Sequence, residues 1–466
     1  MKKTYCRLLS VLMVLFMILP LTAIPVNAWG ECRLAYTIEN GEVTITGSND
    51  PIDGVITIPE TIEGYPVTAI KHGAFLDKTT INSIIVPSSI KRIGQDAFNH
   101  CYSLENVHIS DLSAWCKIDF DRYRATPMFY ASNLYLNNEL LTDVTIPEDI
   151  TQIADFTFYG CESLTSVTVP ETVTNIGYYS FSECTNLSNV TLTNGLQRID
   201  QSAFLGCTAL GEIAIPESVT EIGDYAFLGC GLTSFTVPES ITVVGNGLFS
   251  ECKNLTAIDI HDGVNKIGGR AFSGCSSLTT VTIPDGVTQI REGLFEGCIS
   301  LTEIMLPDDV TSIGAWAFDG CTGLTAVTIP EGVTEVWPGA FQNCTGLTSI
   351  TFLGSAPEFG VNCFEKVTAN IYYPSDNETW TDEMKRDYRG TLTWIGYEPE
   401  VPTLIVGDLT GDGQVNIGDV SSLYAQIRGV SLTKERSAQE VADINGDGNV
   451  NIGDVSSLYA QVRGTV

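Results

Sequence analysis

Positive charge is scarce in this chain of 466 residues, which has 24 Lys and Arg against 56 Asp and Glu and a formal charge of −32. A surface this acidic repels phosphate backbones and anionic lipids, which argues against nucleic-acid binding and basic-patch membrane binding. Histidine is also scarce, and its four positions have no spaced metal or nucleophile partner. The sequence contains no HExxH, GxSxG, Cys-x-x-Cys or phosphate-binding glycine motif, so no common catalytic or zinc signature is present.

Long apolar runs are absent after residue 28, and the run near the N-terminus predicts a secretory signal over residues 1–28. Basic residues precede the apolar run at 8–19, and the small residues Val26 and Ala28 suit a signal peptidase. The alternative, an uncleaved membrane anchor, is disfavoured because Pro20 ends the run before it reaches the ~20 residues of a span. We therefore expect a secreted protein, extracellular or held at a cell surface through a scaffold, with no membrane span after signal removal.

Two 12-residue segments near the C-terminus, DLTGDGQVNIGD at 408–419 and DINGDGNVNIGD at 443–454, have the spacing of calcium loops. Such loops place oxygen ligands at positions 1, 3, 5, 7, 9 and 12, with a backbone carbonyl at 7 and glycine at 6. The sequence therefore predicts two bound Ca²⁺ ions. The predicted ligands, with Gln414 and Asn449 acting through their carbonyls, are Asp408, Thr410, Asp412, Gln414, Asn416, Asp419, Asp443, Asn445, Asp447, Asn449, Asn451 and Asp454.

Each loop is followed by the same segment, VSSLYAQ(I/V)RG, whose apolar residues predict one face of a helix that ends at glycine. With these motifs, residues 407–466 resemble a type I dockerin, a small all-α calcium-binding domain. The resemblance implies calcium-dependent binding of a cohesin domain on a scaffold protein. The family's contact positions correspond here to Ile417, Gly418, Tyr424, Ala425, Ile452, Gly453, Tyr459 and Ala460. The hydroxyl pair common in dockerins is missing, so an apolar contact is expected.

Phenylalanine recurs through the middle of the chain every 23 residues, except for intervals of 60 after Phe98 and 22 after Phe227. A typical unit, residues 164–186, reads LTSVTVPETVTNIGYYSFSECTN. This period predicts a mostly β α/β-repeat solenoid of about twelve coils, in which each coil contacts only its neighbours. The pattern LxxVxIPxxVxxIGxxAFxxC resembles the bacterial leucine-rich repeats of the BspA type. That resemblance implies a secreted or surface protein that binds other proteins or matrix.

Ten cysteines occupy one place in the repeat, three residues after its phenylalanine. Equivalent side chains on stacked coils point in parallel, so we expect a packed column of free thiols rather than disulfides. The predicted organisation is a signal peptide at 1–28, an N-terminal cap at 29–54, the solenoid at 55–374 with an insert around 103–144, a C-terminal cap at 375–397, a linker at 398–406 and the dockerin at 407–466.

Large aromatic residues just before the repeat's Ala-Phe step form the candidate ligand surface. They are Phe156, Tyr178, Tyr179, Tyr225 and Trp316. These rings suit stacking on sugar faces or anchoring a protein, and the alternative is that they only shield the turn between coils. A further candidate patch lies in the insert, at Trp115, Asp119, Asp121, Arg122, Tyr123 and Arg124.

The sequence as a whole predicts a secreted, non-catalytic subunit of cellulosome type. In this interpretation the dockerin binds a cohesin, and the repeats bind a protein or a polysaccharide such as that of plants. One alternative is a dockerin-bearing glycoside hydrolase with its site in the insert, since two carboxylates at the right separation are enough for that chemistry. The other alternative is a surface adhesin.

Overall fold

A computed structural model of the chain describes residues 34–48, 53–122 and 124–398. The chain separates into two compact units, residues 1–396 and 397–466. The first unit is a solenoid of about 15 turns with almost no helix, which confirms the predicted mostly β solenoid. Helical structure in the described ranges is limited to the α-helix Leu112–Cys116 and the 3₁₀ helix Pro127–Phe129.

The first strand column comes from the V-x-V or V-x-I segment that precedes proline in each unit. Its valines face inward in register, as in the parallel pairing of Val144 with Val167 and of Val167 with Val190. Parallel strands with inward β-branched residues are the arrangement that stacking of identical coils requires. Its strands are Gly54–Thr57, Ile81–Val86, Asn106–Ile109, Asn133–Leu136, Asp143–Thr145, Ser166–Thr168, Asn189–Thr191, Ser234–Thr236, Ala257–Asp259, Ala326–Ile329, Ser349–Phe352, Thr368–Pro374 and Thr391–Tyr397.

The second strand column comes from the x-I pair that precedes glycine. After its first two members, its strands are only two residues long because the turn that follows ends them, and the second residue of the pair is buried in coils such as those of Ile176, Ile199 and Val244. These strands are Glu42–Ser48, Tyr65–Ile70, Arg92–Ile93, Asp119–Phe120, Gln152–Ile153, Asn175–Ile176, Arg198–Ile199, Glu221–Ile222, Val243–Val244, Lys266–Ile267, Gln289–Ile290, Ser312–Ile313, Glu335–Val336 and Glu358–Phe359. Three further strands, Leu34–Glu39, Thr61–Ile62 and Glu139–Leu140, pair antiparallel with neighbours.

The first described coil begins with a hairpin that covers the open edge of the second strand column. Leu34–Glu39 pairs antiparallel with Glu42–Ser48 through a turn at Asn40 and Gly41, whose φ angles are 54° and 79°. An Asn-Gly pair with both φ angles positive is the preferred two-residue hairpin turn. Beyond the last phenylalanine coil, Trp380 is buried and its Nε1 donates to the Gly354 carbonyl at 3.0 Å.

The insert continues the solenoid instead of leaving it. Asp119 and Phe120 pair in parallel with Arg92 and Ile93 of the second strand column, and the strand Asn133–Leu136 pairs with Asn106–Ile109 of the first. The insert and the flanking segments therefore add turns to the twelve that contain the repeat phenylalanine. This explains why the solenoid has about 15 turns and not the predicted twelve.

A column of fully buried phenylalanines fills the centre of the solenoid. From Phe158 to Phe364, neighbouring rings lie 5.1–6.0 Å apart and are inclined by 2–17°. Burying one of these rings contributes about 1.5–3 kcal/mol to the free energy of unfolding. Because one coil alone would leave both faces of its ring exposed, the column stabilises neighbouring coils as a unit.

The cysteines form a second buried column, in which nine of the ten repeat thiols are hydrogen-bonded to the previous coil. The Sγ atoms of Cys184, Cys207 and Cys230 donate to the carbonyl oxygens of Phe158, Phe181 and Phe204 at 3.0–3.1 Å. Nine cysteines make this contact, and all twelve described cysteines are buried free thiols. The thiols therefore stack coil on coil, as their common place in the repeat predicts.

We expect the twelve described cysteines to resist modification by thiol reagents in the native protein and to react together on unfolding. Burial raises the pKa of Cys252 and Cys298 to about 12, so almost no reactive thiolate forms at pH 8. Titration with Ellman's reagent, first in buffer and then in guanidinium chloride without reductant, measures both states. If fewer than twelve thiols react in denaturant, some of the described cysteines are crosslinked, and this arrangement would be contradicted.

Candidate functional site

The predicted calcium ligands and cohesin-contact residues lie outside the described residues. The five aromatic residues of the candidate ligand surface lie within them, on the turn that joins the second strand column to the phenylalanine column. Tyr178 and Trp316 are exposed at 38% and 40%, and the other three rings are half-buried.

Four of these five aromatic residues occupy a left-handed backbone position. Phe156, Tyr179, Tyr225 and Trp316 have φ angles of 60°, 53°, 60° and 54°. The same position, two residues before the phenylalanine, has a positive φ in all twelve phenylalanine coils, and glycine fills it in four of them. A bulky side chain is unfavourable there, by about 1–2 kcal/mol. The turn therefore imposes this backbone conformation in every coil, whichever residue occupies the position.

The rings lean over the coil that follows. Phe156 stacks on Tyr179 with ring centroids 5.6 Å apart and an inclination of 13°. Tyr225 lies against Gly247, where an added Cβ would come within 2.3 Å of Cε1 of the tyrosine. Trp316 lies against Gly339, where an added Cβ would come within 2.7 Å of its Cδ1. Glycine in the next coil thus leaves room for the rings of Tyr225 and Trp316.

Tyr178 lines a groove of about 460 Å³ on the same edge of the solenoid. The groove crosses neighbouring coils, and its polar walls are formed by Arg198, Gln201, Glu221 and Asp224. The Arg198 guanidinium is held by Asp200, with Nε to Oδ1 at 2.5 Å, and lies 3.7 Å from Glu221. The groove therefore combines one exposed ring with fixed hydrogen-bonding groups, a composition suited to a polyhydroxylated ligand.

Side chains of the preceding coil fix the backbone of this turn. The Tyr178 amide donates to Asp155 Oδ1 at 2.9 Å, and the Asn246 amide donates to Asp224 Oδ1 at 2.7 Å. Burial raises the pKa of Asp155, an effect that the Tyr178 amide opposes. These contacts hold the turn that carries the rings.

Trp337 is an exposed aromatic residue on this edge that was not among the candidates selected for their position just before the Ala-Phe step. It is 50% exposed, and its Nε1 donates to Glu335 Oε2 at 3.1 Å. The sequence signal was available, because Trp337 stands where most units have the glycine that ends the second strand. Trp316 in the preceding coil and Val361 in the next are also exposed.

The prediction of a surface patch in the insert is wrong for Trp115, because this residue is 1% exposed and belongs to the core. Its ring packs edge-on against Phe120, and its Nε1 donates to the Thr157 carbonyl at 3.0 Å. Asp121 pairs with Arg92 at 2.6 Å in the neighbouring coil. The break in the repeat pattern thus supplies substitute core residues.

Two further structural features bear on function. Within residues 34–48, 53–122 and 124–398, His, Cys, Asp and Glu side chains form no group of three or more that could hold a metal. Over the same ranges, no helix has the length and apolarity needed to cross a membrane.

Two protein families match the chain. The BspA type leucine rich repeat region matches in six copies over residues 55–119, 130–256 and 242–370. The dockerin type I domain matches residues 406–463. No curated protein matches this chain.

Two solved structures of bacterial leucine-rich repeat proteins are similar to this chain. A leucine-rich repeat protein from Bacteroides ovatus ATCC 8483 is 28% identical, with a TM-score of 0.54, and the match covers 78% of this chain and 98% of that one. A leucine rich cell surface protein from Faecalibacterium prausnitzii A2-165 is also 28% identical, with a TM-score of 0.52, and the match covers 69% of this chain and 94% of that one.

Proposed function

Because the chain belongs to the BspA-type leucine-rich repeat proteins and carries a type I dockerin domain, we propose that it is a secreted, non-catalytic subunit of a cellulosome-type complex. The dockerin match is the observation that carries this proposal, since a dockerin implies a cohesin partner. The name of the Faecalibacterium relative, a cell surface protein, supports an extracellular location.

Calcium holds the docking domain together in this proposal. The two loops at 408–419 and 443–454 each supply three Asp carboxylates along with amide, hydroxyl or carbonyl oxygens. Ca²⁺ prefers such oxygen ligands, and the apo loops would keep like charges close together. We therefore assign one Ca²⁺ ion to each loop.

The cohesin-binding surface is duplicated. Between 408–429 and 443–464, 18 of 22 positions are identical, including loop positions 10 and 11 and the contact residues of both helices. In type I dockerins the two loop–helix copies are related by approximate two-fold symmetry, so two nearly identical copies would allow this domain to bind a cohesin in either of two orientations.

We expect the Ile417→Lys variant to bind cohesin almost normally, because the copy around Ile452 remains intact. Losing one of two equivalent orientations lowers affinity only about twofold. Ile417→Lys combined with Ile452→Lys removes both apolar contacts and is expected to weaken binding by more than about 30-fold. Isothermal titration calorimetry with a type I cohesin measures both variants. Complete loss of binding in the single variant would contradict the dual orientation.

The repeats supply the second binding surface. Exposed rings at Tyr178 and Trp316, set on a regular solenoid edge, suit a polysaccharide or a protein ligand. The experiment that tests the whole proposal is capture of the mature chain by immobilised type I cohesins, combined with an assay for reducing sugars. Cohesin capture without release of sugars supports a non-catalytic subunit. Release of sugars would favour the hydrolase interpretation, and failure of every cohesin to capture the chain would overturn the docking role.

A further inference from the structure

Large and small residues alternate at the left-handed position along the second half of the solenoid. The large residues, each two coils from the next, are Tyr179, Tyr225, Arg270 and Trp316. The residues in the coils between and after them are Ser202, Gly247, Gly293 and Gly339. Each of the four large side chains ends in a planar group, and we call these four residues the planar series.

The glycines are small because the planar groups lie across them. A Cβ added at Gly293 would come within 3.0 Å of Arg270 Cγ and 3.6 Å of its Cζ. Together with the contacts of Tyr225 on Gly247 and Trp316 on Gly339, this places one planar group over each pair of coils between Tyr225 and Gly339. Rings in successive coils can stack on each other, as Phe156 and Tyr179 do at 5.6 Å. From Tyr179 onward, the alternation instead leaves one platform in every second coil.

The spacing of the platforms follows from the coil repeat. Equivalent phenylalanine rings of neighbouring coils lie 5.1–6.0 Å apart. Two coils therefore separate equivalent positions by about 10–12 Å, close to twice the usual strand spacing. An extended β-1,4-linked glycan presents the same sugar face once per disaccharide, and its disaccharide repeat is about this long.

Charge on this edge favours an uncharged polymer. The Arg270 guanidinium is bound by Glu292 at 2.9 Å and Glu296 at 2.7 Å, so it offers a planar face instead of a free cation. In the groove beside Tyr178, the carboxylates of Glu221 and Asp224 outnumber the single Arg198 guanidinium. Such a surface repels polymers that carry uronates and can hydrogen-bond sugar hydroxyls.

We propose that the planar series is a binding track for an extended, uncharged β-1,4-linked glycan that runs along the solenoid axis. Alternate sugar rings stack on Tyr179, Tyr225, Arg270 and Trp316, and the groove beside Tyr178 binds hydroxyl groups near one end. This assignment deepens the proposed role of the repeats as a ligand-binding surface and rests on it.

The test uses the full mature chain in calcium and measures its affinity for defined glycans by titration calorimetry. Cello- or manno-oligosaccharides are expected to bind more tightly as they lengthen from two to six sugars, because longer chains reach more platforms. Polygalacturonate and β-1,3-glucan are expected not to bind, since the first is anionic and the second lacks the extended repeat. Equal affinity for all lengths, or binding of either control polymer at the same strength, would overturn the track.

Variants locate the site. Tyr225→Ala and Trp316→Ala are each expected to weaken binding of an octasaccharide, which is long enough to reach all four platforms, about tenfold, the effect of losing one well-placed anchor. Tyr102→Ala, which removes an exposed ring that is 66% accessible and lies outside the series, is the matched control and is expected to bind normally. Unchanged affinity in both series variants would overturn the proposal. Cohesin binding measured on the same samples separates this failure from a failure of the docking function.

Discussion

Removal of calcium is expected to abolish cohesin binding by the full chain and to leave the repeat region folded. Without the metal, the three carboxylates in each predicted loop repel one another, and metal binding is coupled to folding in such small domains. The described solenoid contains no group of side chains able to hold a metal, so its stability is expected not to change. Surface plasmon resonance against a type I cohesin, in calcium and then in EGTA, gives the affinity.

The matched variants for this prediction lie in the loops themselves. Asp412→Ala combined with Asp447→Ala removes a position-5 ligand from each loop and is expected to weaken binding more than about 100-fold in calcium. Glu435→Gln removes a carboxylate between the two loops and serves as the control for net charge. Retention of cohesin binding in EGTA, or in the double variant, would contradict the calcium assignment.

The Phe204→Ala substitution is expected to destabilise the repeat region by about 3–5 kcal/mol, the usual cost of deleting a buried phenylalanine ring. Phe204 is fully buried, with the rings of Phe181 and Phe227 at 5.4 and 5.7 Å on either side. The cavity would therefore remove contacts on both faces, and the two neighbouring coils would lose support together. This is a large fraction of the stability of an ordinary domain.

Tryptophan fluorescence during urea unfolding measures this effect on the repeat region alone, because residues 399–466 contain no tryptophan. Phe204→Leu keeps most of the volume and is expected to cost clearly less than Phe204→Ala. Tyr102→Ala, at an exposed ring, is expected to stay within about 0.5 kcal/mol of the parent. A small effect of Phe204→Ala would show that the column does not hold the coils together.

The repeat period predicts the core of this fold because each buried residue has a fixed place in the unit. Phe181, Cys184 and Val167 recur 23 residues apart in the next coil, and the structure stacks them in register. The repeat period did not predict the core of the insert, because the buried residues there differ in type from those of the repeat. Trp115 and Phe120 fill the interior without matching the repeat, so a broken pattern concealed a continued solenoid.

The edge that carries the aromatic residues was only partly predictable for geometric reasons. The aromatic residues before Ala-Phe are easily recognised in the sequence. Their residue types do not predict the positive φ of Tyr225 and Trp316, because the turn imposes it. The groove was beyond prediction, because Tyr178, Gln201 and Asp224 come from three successive coils and meet only when these stack.

The central claim is that one chain joins a cohesin-bearing scaffold to a glycan. The most direct measurement is retention of a fluorescent cohesin on insoluble β-1,4-glucan in the presence of the full chain. We predict that the cohesin is retained only when both the chain and calcium are present, and that EGTA releases the cohesin while the chain stays on the glucan. Release of the cohesin and the chain together by EGTA, or retention of the cohesin without the chain, would contradict the claim.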